Sequence, residues 1–236
     1  MMNKKRATQE EMRELLREWE SVRGYGSDMT WDGILNDSYW ETNPRVLFLL
    51  KDTRDDFTYI APAPTKGYGP EGVSLNFWGN INSWQHVISM RWDNAVPTEE
   101  EIRMIRKKPV KDIAYLNIKK KQGTSAISWK ELRSYAIRDK KFLIRQLEMI
   151  DPQVIICCGI NSIFDLLKDY IMDEKGYEDE ALSKDMRIHK FGPWIVANWG
   201  HPSDSLHKNN ISWVELDADL SEIAVQKKIQ EMKAKL

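Results

Sequence analysis

Val46-Leu47-Phe48-Leu49-Leu50 is an unbroken apolar run, entered from Asn43-Pro44 and left through Lys51-Asp52-Thr53-Arg54. It is too short for a helix and shows no polar alternation, the pattern of a strand buried on both faces. Two similar runs follow, Ile113-Ala114-Tyr115-Leu116 and Val154-Ile155-Ile156-Cys157-Cys158, and a weaker fourth is Trp194-Ile195-Val196-Ala197. Helical patterns lie between and around them. Thr8 to Arg23 carries Met12, Leu15, Leu16, Trp19 and Val22 on one stripe, opens with the capping box Thr8/Glu11, and stops at Gly24 and Gly26. Thr98 with Glu101 caps a short helix. Ser128 with Glu131 caps a longer one, with a break expected near Asp139 and an end before Asp151-Pro152. Asn161 to Ile171 keeps helical spacing, and residues 218 to 233 read as a terminal helix.

Strands alternating with helices predict an α/β fold: three layers, α/β/α, around a central, mostly parallel four-stranded sheet. No Gly- or Pro-rich linker splits the chain, so one domain over 1–236 is expected, with an N-terminal helix at about 8–23. Thr58 to Gly72, which holds Pro62, Pro64 and Pro70, reads as a long irregular loop of the kind that is often functional.

Composition narrows the class. The chain has 236 residues, 42% hydrophobic and 30% charged, which suits a folded domain with a sizeable core. No run of apolar residues is long enough to span a membrane, and the charged, helix-patterned start up to Glu20 does not read as a signal peptide. The only cysteines, Cys157 and Cys158, are neighbours on an extended strand and point to opposite faces, a poor disulfide pair. A reducing, cytoplasmic location is expected. The net charge of −1 hides two segments. Arg103, Arg106, Lys107, Lys108, Lys111, Lys119, Lys120 and Lys121 face only Asp112, while Asp173 to Asp185 is strongly acidic. A local basic surface can contact phosphates whatever the total charge; a solvated helix end and loop fits as well.

Ligands of open α/β sheets sit outside the carboxyl ends of the strands. There the sequence offers Asp52 after the first run, Asn117-Ile118-Lys119-Lys120-Lys121 after the second, Gly159-Ile160-Asn161-Ser162 after the third and Gly200-His201-Pro202-Ser203 after the fourth. Each of Asp52, Asn117 and His201 also fits a turn, cap or loop role. Their arrival at one edge from three different strands favours a site.

These segments resemble the uracil-DNA glycosylase superfamily over roughly residues 44 to 210. Leu50-Lys51-Asp52-Thr53-Arg54 looks like its first motif, Ala114-Tyr115-Leu116-Asn117 like its Asn-bearing strand, and Gly200-His201-Pro202-Ser203 like its late catalytic loop. Asn76-Phe77-Trp78 lies where the family places an aromatic that stacks on the extruded base. The resemblance implies a DNA glycosylase hydrolysing the N-glycosidic bond of uracil or another altered base. Asp52 would activate water, Asn117 read the base edge, His201 steady the leaving oxygen, and Phe77 or Trp78, with Asn76, hold the base. Ser203 and Lys119 to Lys121 would meet phosphate, and Leu206 would be the wedge that fills the vacated stack. The partner is then DNA, single or double stranded, met by a monomer with no cofactor, metal or membrane; two cysteines cannot hold the iron–sulfur cluster of one family branch. Thr53 and Arg54 stand where the family usually has Pro and then Gly or an aromatic, and Asp204-Ser205-Leu206 follows the late loop. These departures leave the target base open.

The residue types suit the chemistry. Loss of a base develops positive charge on the sugar and negative charge on the base; a carboxylate stabilises the first and an imidazole hydrogen bond the second. Asn offers a donor and an acceptor to a base edge. Two other readings fit the same residues: a catalytically inactive nucleic-acid-binding member of the fold, and an α/β hydrolase acting on small nucleosides or nucleotides. No Walker or GxGxxG loop is present, which argues against triphosphate chemistry.

Overall fold

The computed structural model describes residues 6–53, 75–123, 127–159, 162–202 and 211–235, with the backbone alone for 75, 76, 211 and 212. The four apolar runs are strands β2 (Val46–Leu50), β3 (Ala114–Asn117), β4 (Val154–Cys158) and β7 (Trp194–Trp199). They pair in parallel, in the order β3-β2-β4-β7. Every residue of β2, β4 and β7 is buried, as strands covered on both faces must be.

The sheet is larger than the four strands expected. Three further strands make it seven-stranded and mixed: β1 (Gly33–Ile34) pairs antiparallel with β3, and β6 (Ile188–Phe191) and β5 (Asp179–Ala181) extend it antiparallel beyond β7. None carries an apolar run. β1 has two residues, β5 is exposed throughout, and His189 and Lys190 interrupt β6.

Helices cover both faces. Leu47, Leu49, Leu116, Ile155, Cys157 and Val196 join a core with α1 (Gln9–Arg23), α4 (Trp129–Ile150) and α5 (Ser162–Leu166). Phe48, Leu50, Ile156, Cys158, Ala197 and Trp199 join the opposite core with α2 (Leu75–Trp92), α3 (Glu99–Ile105), α6 (Ile211–Ser221) and α7 (Ile223–Lys233). The adjacent cysteines thus lie in different cores, and both are free thiols.

Three helix expectations need correction. α4 runs unbroken through Asp139, because that carboxylate is buried and accepts from Arg23 Nε at 2.5 Å and from Tyr25 Oη at 3.3 Å. The terminal helix is two helices, broken at Glu222, whose backbone is extended. Val22, placed on the α1 stripe, is exposed. α1 does carry its capping box and ends on Gly24 in the left-handed conformation, φ 66°. No helix among the described residues is long and apolar enough to cross a membrane.

Candidate active site

The parallel pairing brings the strand ends to one edge. Leu50 is level with Asn117, and Cys158 with Trp199. Asp52 and His201 each follow two residues beyond that level, after strands separated by β4 alone, whose ends lie roughly 10 Å apart at the usual strand spacing. The crossover from β2 leads to β3 on one side, whereas β4 and β7 lie on the other, so the topological switch point falls between β2 and β4. Lys51 and Gly159 meet there. A Cβ on Gly159 would lie 3.1 Å from Lys51 Cε and 3.0 Å from Ile163 Cγ1, at a φ of +156° that side chains rarely adopt. The backbone conformation therefore favours glycine, and a Cβ there would also press on the lysine stem.

Asp52 belongs to a chain of charges. Lys119 Nζ lies 4.0 Å from Asp52 Oδ2 and 3.5 Å from Glu131 Oε1, in the first turn of α4. The ammonium also sits 5.4 Å from the Tyr135 ring centroid. Burial and the nearby carboxylates of Glu131 and Asp139 push the Tyr135 hydroxyl up. Lys119 thus compensates the charge of Asp52 from within the fold.

Asn117 is anchored by a carboxylate that the sequence reading passed over. Asp32 Oδ2 accepts from the Asn117 backbone N–H at 2.7 Å and from its Nδ2 at 3.0 Å. Asp32 Oδ1 accepts from Gln146 Nε2 at 3.0 Å and pairs with Lys120 Nζ. The side chains of Asp32 and Lys120 are both wholly buried. Burial pushes the Lys120 ammonium down, and Asp32 pulls the other way. Burial, aided by Asp32, also pushes the Tyr115 hydroxyl well above its usual range. With Nδ2 committed inward, the Oδ1 of Asn117 is the atom through which this amide can accept from a ligand.

His201 sits beside Phe77, with ring centroids 5.8 Å apart and planes tilted by 49°. Phe77 is half-buried, while Trp78 is buried and meets Tyr115 edge-on at 6.2 Å. Of the two aromatics expected at a base pocket, Phe77 is therefore the one beside the imidazole, and Trp78 belongs to the core. Pro202, next to His201, is tied to α2: Asn80 Nδ2 donates to its carbonyl at 2.8 Å, and Asn80 Oδ1 accepts from Arg106 at 2.6 Å.

The lysines divide. Lys121 is exposed, whereas Lys119 and Lys120 are buried and turned to Asp52 and Asp32. Ser203, Leu206, Arg54, Asp204, the segment Thr58 to Gly72 and the side chain of Asn76 lie outside the described residues. Among the described residues, no group of three or more His, Cys, Asp or Glu is arranged to hold a metal ion.

Asp32 and Asn80 left faint signals. Each is a polar residue in an apolar setting, Trp31-Asp32-Gly33-Ile34 and Trp78-Gly79-Asn80-Ile81, and buried polar side chains need partners. No family model matches the chain, and no curated protein is significantly similar to it.

Proposed function

We propose that the protein is a divergent member of the uracil-DNA glycosylase superfamily that hydrolyses the N-glycosidic bond of uracil or another altered base in DNA, acting in the cytoplasm as a monomer. The observation that carries this reading is the arrival of Asp52, Asn117 and the His201/Phe77 pair at the carboxyl ends of the parallel strands of one sheet, from three different strands and a helix. Phe77 would stack on the extruded base, offsetting part of the cost of unstacking. Asn117 Oδ1 would accept an N–H from the base edge, and the imidazole of His201 would donate to a base oxygen. As the C1′–N bond breaks, its electron pair leaves with the base, and His201 steadies the negative charge. Asp52 stabilises the cationic sugar and takes a proton from the water whose oxygen bonds to C1′. The base is protonated from solvent, and an abasic sugar remains.

A second reading draws on a specific observation. Lys119 compensates Asp52, and Asp32 holds the amide of Asn117, an arrangement that also suits a site that binds a nucleotide without cleaving it. The test is alkaline cleavage of labelled oligonucleotides, each carrying one altered base, after incubation with the protein. Strand scission at the altered base, lost in Asp52→Ala, is expected from a glycosylase. Intact strands across a broad panel, with binding preserved, would favour the inactive reading. Base release from mononucleosides alone would favour a nucleoside hydrolase.

A further inference from the structure

The exposed side of α4 has a composition at odds with an ordinary solvated helix. Trp129 is 44% exposed and Ile137 is 54% exposed, and the same side carries Lys130, Arg133 and Lys141. Trp129, Arg133, Ile137 and Lys141 recur every four residues, so they form one slowly drifting stripe. Over these residues the helix rises about 18 Å. None of the three cations makes an ion pair among the described residues. Other charged residues of α4 do pair: Glu131 with Lys119, Arg138 with Asp139, Lys140 with Asp173 and Glu174, Arg145 with Glu18 and Glu148 with Lys175.

The stripe begins at the candidate site. Lys51, the strand-end residue that lies against Gly159, holds its ammonium 5.8 Å from the Trp129 ring centroid. Two residues further on, Glu131 is joined through Lys119 to Asp52. Below Trp129, Arg133 stacks on Tyr170 at 5.6 Å and donates to its hydroxyl at 3.3 Å. Tyr170 is brought there by the π-helical turn Leu167–Ile171, which packs against α4. Rings and cations therefore alternate outward from the strand ends.

We infer that this face is a track for single-stranded nucleic acid, leading to or away from the strand-end site. The cations match a phosphate backbone. An exposed indole is a stacking surface for an unpaired base, which a duplex cannot offer without unstacking, and the Lys51 ammonium over that ring sets a cation beside the stacked base. Strand preference is thus set here, toward the single strand. The inference rests on the proposed function for where the reacting base lies, but not for the binding itself.

Fluorescence anisotropy with a labelled oligothymidylate, and with a duplex of equal length, tests it. The single strand is expected to bind more tightly than the duplex. Trp129→Ala is expected to weaken single-strand binding by about tenfold, within the range for loss of one stacked base, and Trp129→Phe to retain most of it. The triple variant Lys130→Ala, Arg133→Ala, Lys141→Ala is expected to flatten the dependence of log K on log salt. Circular dichroism confirms that each variant is folded. Equal affinity for duplex and single strand, Trp129→Ala binding like the parent, or binding to phosphatidylserine vesicles in place of the oligonucleotide would overturn the track. Base release is measured on the same proteins. Oligonucleotide binding without base release contradicts only the proposed function; base release with no effect of Trp129→Ala contradicts only the track.

Discussion

Asp32 holds more of the candidate site together than any residue that faces it. Its carboxylate accepts from the backbone and side chain of Asn117, from Gln146 and from Lys120, with no exposure to solvent. Removing one member of such a pair leaves the other charge buried and uncompensated, at a cost of about 3–5 kcal/mol. Lys120→Met is therefore expected to lower unfolding stability by about that amount in urea titrations; a loss below about 1 kcal/mol would mean that the pair is not buried as described. Tyrosines give the pH dependence. Burial pushes the hydroxyl of Tyr39, which donates to the Ile150 carbonyl at 3.1 Å, well above its usual value. Above pH about 10 the unfolded chain loses this proton and the folded chain keeps it, so the folded state binds more protons and stability falls as pH rises. Tyr39→Phe removes that contribution. Its stability is expected to fall less steeply than the parent's between pH 9 and pH 11, roughly the span around that value; equal slopes would contradict this assignment. At this scale the strand-end positions of Asp52, Asn117 and His201 were legible, because an apolar run defines where its strand ends. Asp32 and Asn80 were not, because their partners Asn117 and Pro202 lie far along the chain and only folding brings them together.

Elements were legible in proportion to how far local chemistry alone determines them. The strands buried on both faces and the capped helix starts at Thr8, Thr98 and Ser128 follow from short-range pattern. The hairpin of β6 and β7 does not, because β6 takes its place through pairing with β7 and β5 and not through its own residues. α4 passes through Asp139 because Arg23 and Tyr25, from α1 and the turn after it, satisfy a carboxylate that would otherwise stop a helix there. The turn between β6 and β7 makes a sharp test. Gly192 has a φ of +53°, and a Cβ there would collide with the Tyr177 ring. Tyr177 in turn packs edge-on against Phe191 and Trp194, at 5.7 Å from each. Gly192→Ala is expected to destabilise the protein by at least about 1 kcal/mol, from backbone strain alone, with more from displacing the ring. Thermal unfolding checks this. A variant as stable as the parent would show that the hairpin closes in another conformation.

Across the whole molecule, the parallel order β3-β2-β4-β7 gives the chain one edge where chemistry can concentrate. Three layers could be anticipated because four apolar strands alternate with amphipathic helices. The full width of the sheet could not, since β1 and β5 are too short or too polar to announce themselves. On that edge a carboxylate, an amide, and an imidazole beside an aromatic ring come from four separate elements. The direct test is mass spectrometry of free bases released from DNA that carries diverse altered bases, comparing the parent with Asp52→Ala and His201→Ala. Release of one altered base from polymer by the parent, with loss of at least about a hundredfold in each variant, is the expected result. Release that survives both substitutions unchanged would contradict a site at these strand ends, and no release from any altered base would contradict the glycosylase reading itself.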